Sequence, residues 1–148
     1  MAEGDPLPPD NWAARYCKPS QVVDGEVLGP AFQLEGTHEE VSMIWLERTG
    51  HANLIEQLAT GRDALKASGF MPKSAGWFAR IRVGAITGVT SVGNDDLALQ
   101  VLHAPEPGND CHCAIYGLPA KETDLSKAAG LALAGLVNLP PVQVSALP

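Results

Sequence analysis

Hydrophobic and polar positions alternate one for one from Trp77 to Ile86, with Trp77, Ala79, Ile81, Val83 and Ala85 set against Phe78, Arg80, Arg82 and Gly84. A period of two marks a strand. One side is apolar and the other carries two arginines, which predicts a sheet with one face on the core and one face wet. The period lengthens to that of a helix at Leu54, Ile55, Leu58 and Leu65. Asn53 stands where an N-cap belongs and Gly69 where the chain should leave the helix, so the spacing predicts a helix over 53–68, weakened by Gly61 in its middle.

Val41 to Leu46 (VSMIWL) reads as a short buried strand, with a helix running on from Glu39 as the competitor. Leu97–His103 and Cys111–Tyr116 read as a hairpin around the polar loop Ala104–Asp110. With His103 set opposite Cys111, odd-numbered residues from 97 to 115 turn to the core; a slip of one residue reverses this. Thr123 or Asp124 opens a second helix to about Val137, stopped by Pro140-Pro141. Its Ala/Leu/Gly composition is apolar nearly all round and predicts a well-buried helix. Trp12, Ala13 and Tyr16 are spaced as a short helical turn in a stretch, Asn11–Leu34, otherwise expected to lie over the core as coil or an edge element.

These elements predict an α+β fold: a single domain over 11–139, mainly an antiparallel sheet packed against two helices at about 53–68 and 124–137. Residues 1–10, rich in Pro and acid, are expected to form a flexible leader. Residues 140–148 are expected to form a loose tail.

Charge narrows the partners. Lys and Arg number 10 against 17 Asp and Glu, a formal charge of −7 with no basic run. Nucleic acid and anionic membrane surfaces are therefore disfavoured. The longest apolar stretch, Ala128–Leu136, is far short of the ~20 residues of a membrane span. Three cysteines are too few for a disulfide framework, and the opening MAEGDPLPPD is no secretory signal, so a cytoplasmic protein is expected. Only 18% of residues are charged, which suggests that a partner covers part of the surface.

Candidate chemistry centres on Cys111-His112-Cys113. On the register above, His103, Cys111 and Cys113 share a face and, with Cys17, form a possible tetrahedral zinc set. The spacing lacks paired CxxC knuckles, and small buried hydrophobes are the commoner fate of such cysteines, so no metal or other cofactor is favoured. Cys17 lies between Arg15 and Lys18, whose charges would favour a thiolate nucleophile; His112 and Arg15 complete the weak catalytic candidates. Arg80 and Arg82 are candidate anion binders, more simply explained as ion-paired surface residues. Trp12, if exposed, is a natural partner anchor. Asp95-Asp96 reads as a turn between strands. Walker, GxGxxG, GxSxG and HExxH motifs do not occur.

Arg15-Tyr16-Cys17-Lys18-Pro19, then Ala31-Phe32 and Ser42-Met43-Ile44-Trp45-Leu46-Glu47, resemble the opening of a group of small uncharacterised bacterial proteins. His112 to Pro119 (HCAIYGLP) resembles that group's later His-x-x-Ile-x-Gly-Leu-Pro segment. The resemblance implies a stand-alone bacterial protein working beside gene neighbours, with Arg15, Tyr16, Cys17 and His112 as positions of a shared surface, and it carries no catalytic assignment. The sequence thus points to a non-enzymatic protein-binding or adaptor module, in an operon-encoded complex or as a homo-oligomer, with Gly130 and Gly135 allowing close approach of the last helix to a second copy. The alternative is a small enzyme or zinc-supported domain centred on Cys17, His103, His112 and the Cys111/Cys113 pair.

Overall fold

In the computed structural model, which describes residues 4–148, ten short strands and three α-helices follow one another along the chain. The strands are β1 (Trp12–Cys17), β2 (Val22–Val23), β3 (Glu26–Val27), β4 (Glu40–Trp45), β5 (Trp77–Arg82), β6 (Ser91–Val92), β7 (Asp95–Asp96), β8 (Gln100–His103), β9 (His112–Tyr116) and β10 (Val142–Gln143). The helices are α1 (Leu54–Ala67), α2 (Val83–Thr87) and α3 (Asp124–Ala134), with a 3-10 turn at Gly29–Phe32. Six strands make one antiparallel sheet in the order β10-β5-β1-β4-β9-β8, and β2–β3 and β6–β7 are separate hairpins. The fold is α+β, and the strand at 40–45, the helix at 54–67 and the second hairpin strand stand where the hydrophobic pattern sets them, while the first, expected from Leu97, begins at Gln100.

Both faces of the sheet are covered. On one lie Val41, Met43, Ile81, Val101 and Ile115 with Phe32, Ile86 and Leu133 above them. On the other lie Ala14, Ile44 and Phe78 beneath Leu58 of α1 and the C-terminal Val144 and Leu147. The expected wet face is therefore dry: Phe78 is 1% exposed. Arg80, on that face, is half-buried with its guanidinium 5.5 Å from the centre of the Trp12 ring, and Arg82 is exposed and pairs with Asp10 at 3.2 Å.

The strand expected to run to Ile86 ends at Arg82, where the amides of Val83 and Gly84 turn to the carbonyls of Asn11 and Pro9 and the chain winds into α2. Trp12, Ala13 and Tyr16 lie in a strand, β1, because six residue pairs tie it to β5. The leader from Gly4 onward is not a free tail: Leu7 N donates to Val101 O, Asp5 O accepts from His103 N, and Leu7 is buried. It thereby covers the outer edge of β8, an edge that would otherwise expose unpaired amides. The first three residues of that leader lie outside the described residues. At the other end, β10 pairs with β5 and buries Val144 and Leu147, so the tail expected to be loose is a sixth strand and a plug for the second core.

Two glycines set how closely the helices approach. Gly61, read from sequence as a weakness in α1, faces Ile44, whose Cδ1 would lie 2.5 Å from a side-chain carbon at that position. Gly130 of α3 lies against the Gly29–Phe32 turn, with Gly29 O 2.5 Å from the site of such a carbon. The close approach foreseen for a second copy at Gly130 is thus made within the chain. Only one side of α3 is buried: Leu131 is 68% exposed, since the turn and sheet cover a single stripe of the helix. Backbone cannot yield as a flexible side-chain tip can. Gly130→Ala is therefore expected to destabilise by about 1–3 kcal/mol despite the better helix propensity of alanine, and Gly61→Ala by less, as read by chemical denaturation. Equal costs at the two sites would contradict this packing.

Candidate functional site

The centre of the sheet is split. β1 runs with β5 as far as Cys17 opposite Trp77, and β4 runs with β9 as far as Glu40 opposite Tyr116. Between them, β1 and β4 register only at Ala13 with Trp45 and Ala14 with Ile44. Below that point Arg15 braces the seam. Its Nε donates to Ala31 O at 2.8 Å and its Nη1 to Ser42 O at 2.9 Å. A guanidinium can be taken out of water only if its donors are satisfied, and here it draws on a carbonyl of the facing strand. Burial lowers the Arg15 pKa, opposed by the nearby Cys17 and Glu35, yet an arginine stays charged at any physiological pH. Among the described residues it forms no ion pair with a carboxylate.

The seam opens into a cleft of about 200 Å³. On the α1 side its floor is Ala14, Ser42 and Ile44, and one wall is aromatic and apolar, with Tyr16, Phe70 and Leu65. The Tyr16 ring stands edge-on to Phe70 at 5.3 Å and to Phe78 at 5.9 Å, and its hydroxyl accepts from Lys73 N at 3.0 Å, which holds the ring in place. The opposite wall carries His112, from β9, and Glu106, from the β8–β9 loop. His112 is 5% exposed. Its Nδ1 lies 2.6 Å from Ala104 O, and since a carbonyl only accepts, that nitrogen carries the hydrogen. Nε2 faces Glu106 Oε1 at 3.7 Å. Glu40 and Glu35 bring the carboxylates of the lining to three, and Glu35 is paired with Lys18 at 3.0 Å. A wider, more open groove of about 700 Å³ lies between the β2–β3 hairpin and the end of α3, with Glu26 its one charged lining residue.

The thiols take no part in the cleft. Cys17 and Cys113 are fully buried in the first core, and Cys111 packs in the second. The hairpin registers His103 opposite Cys113, not Cys111. A shift of two preserves parity, so Val101, His103, Cys113 and Ile115 do share a face. Cys111 precedes the first residue of β9 and escapes the alternation, its Sγ donating to Asn109 Oδ1 at 3.3 Å. His103 meets the Trp45 ring edge-on at 5.2 Å and its Nε2 lies 2.7 Å from Asp110 O. The zinc set is thus not assembled, and among the described residues no group of three or more His, Cys, Asp or Glu is arranged to hold a metal.

Burial also works against the weak candidacy of Cys17 as a thiolate nucleophile beside Arg15 and Lys18. Burial raises the Cys17 pKa to about 11, and the Arg15 charge only partly offsets it. Lys18 is engaged with Glu35. Of the positions singled out in the sequence, Arg15, Tyr16 and His112 meet at the cleft; Trp12, Arg80 and Arg82 do not line it. Sequence reasoning missed Glu106, Ser42 and Phe70, which come from three separate segments with no shared spacing. No family model matches this chain, and neither a curated protein nor a solved structure does.

Proposed function

We propose that this chain is a non-enzymatic protein-binding module, an adaptor, and that the open seam between β1 and β4 is where it grips its partner. The size and lining of the cleft carry this reading. About 200 Å³ is below the ~300–1,000 Å³ of typical small-molecule pockets, and it suits one inserted side chain of a protein partner. An aromatic wall that includes Phe70, 46% exposed, and runs on to Met71, 69% exposed, offers the kind of apolar surround on which an anchoring side chain gains most of its energy.

The test compares partners retained by the intact protein and by two variants, identified by mass spectrometry of material from the organism that makes it. Ser42→Trp fills the cleft floor; Leu131→Ser alters the exposed face of α3 and serves as the control. Loss of the same retained protein with Ser42→Trp alone, at an unchanged melting temperature, is expected. Retention of every partner by a folded Ser42→Trp variant would place recognition elsewhere on the molecule.

A further inference from the structure

From the cleft just described, and resting on the reading of it as the recognition site, we infer that its occupant is a basic side chain, the alkylammonium of a partner's lysine, held between His112 Nε2 and the Glu106 carboxylate. Nδ1 of His112 donates to Ala104 O, so in the neutral imidazole Nε2 bears a lone pair. That lone pair faces Glu106 Oε1 at 3.7 Å, beyond hydrogen-bond length. In that form of the ring two acceptors confront one another, with no donor from the described residues between them. An ammonium has three N–H groups and no acceptor, so it satisfies both at once.

The rest of the lining suits the same group. On the α1 side of the seam the charged residues are Glu40 and Glu106, while the two cations of the lining, Arg15 and Lys18, are committed to backbone carbonyls and to Glu35. The methylene stem of a lysine would lie along Tyr16, Phe70 and Leu65, with its charge at the carboxylates across the cleft. The protein's charge of −7 draws basic partner segments toward it.

The decisive experiment follows amide NMR signals of the full chain during titration with n-butylammonium, which is the lysine side chain without its backbone. Matched titrations use butyrate, n-butanol and the capped amino acid N-acetyl-lysine methylamide. Signals of Tyr16, Ser42, Phe70 and His112 are expected to shift with n-butylammonium and more strongly with the capped lysine. Glu106→Gln, at a half-exposed position, should weaken both by about tenfold or more, the loss of one charge-assisted hydrogen bond. The capped lysine binding no tighter than n-butylammonium would point to a free amine as the natural occupant and overturn the partner-lysine assignment. Equal shifts with n-butanol or butyrate would sink the cationic occupant while leaving the cleft a binding site. Cleft signals that move with none of the four probes would remove the cleft itself. Ring-nitrogen shifts showing His112 protonated at both nitrogens at pH 7.5 would likewise overturn the inference, since its own proton would then fill the gap.

Discussion

Replacing Phe78 by alanine is expected to cost about 3–5 kcal/mol and to lower the melting temperature by roughly 10 °C. The alternation from Trp77 to Ile86 would make this a modest change on a half-wet face. In the fold, Phe78 is 1% exposed and belongs to the core that joins the sheet to α1 and the C-terminal plug. It also stands edge-on to Tyr16, so its loss frees one wall of the cleft. Truncation leaves a cavity bounded by a sheet and a helix, and neither collapses easily to fill it. Urea denaturation followed by tryptophan fluorescence reads the cost. A loss below 1 kcal/mol would mean that the second layer contributes little and that the cleft lacks a rigid floor.

The three thiols should resist a thiol reagent in the native protein at pH 8 and all react once it is unfolded, because all are buried and free. The same burial makes stability fall in alkali. Burial raises Cys17 from 9.0 to about 11, and it raises Cys113 further still and Cys111 as well. Below pH 9 both folded and unfolded chains hold these protons, and the contribution is intact. Above pH 9 the unfolded chain releases them while the folded chain keeps them, so the unfolded state binds fewer protons and stability drops as pH rises. For Cys17 alone, at ~1.4 kcal/mol per pH unit between the two pKa values, the loss reaches about 2 kcal/mol by pH 11. Denaturation midpoints measured from pH 7.5 to 11 should be level at first and then decline. A midpoint unchanged to pH 11, or rapid labelling of native Cys17, would contradict its burial and reopen the reading of it as a nucleophile.

Of the site, the sequence pointed to Arg15 through its place beside Cys17, to His112 through the Cys111-His112-Cys113 run, and to Tyr16 as a companion of Arg15 in the Arg15–Pro19 segment. What each does was not readable. Arg15 shares a strand face with Cys17, two positions on, as an activator would, but burial outweighs its charge at the thiol and its guanidinium donates to carbonyls of the Gly29–Phe32 turn and of β4. His112 was grouped with the cysteines on either side of it, and the strand turns it away from Cys113 toward a loop carboxylate. Glu106 sits in a loop read only as a connector, and nothing in the spacing joins it to a residue six positions on.

What the chain determined by itself is local. Asn53 accepts from the amides of Ile55 and Glu56 and starts α1, Thr123 accepts from Ser126 and starts α3, and parity along β8 and β9 sorts one face of the sheet from the other. Caps and alternation act over a few residues, so they are legible in the order of residues alone. Which strands are neighbours, where β1 parts from β4, and that Asp5–Leu7 and Val142–Gln143 are bound at opposite edges of the sheet were decided by the tertiary structure. Those outcomes depend on free energies shared among segments far apart in sequence, chiefly burial of the second face and the need of Arg15's donors for carbonyls, and no local pattern encodes such a sum.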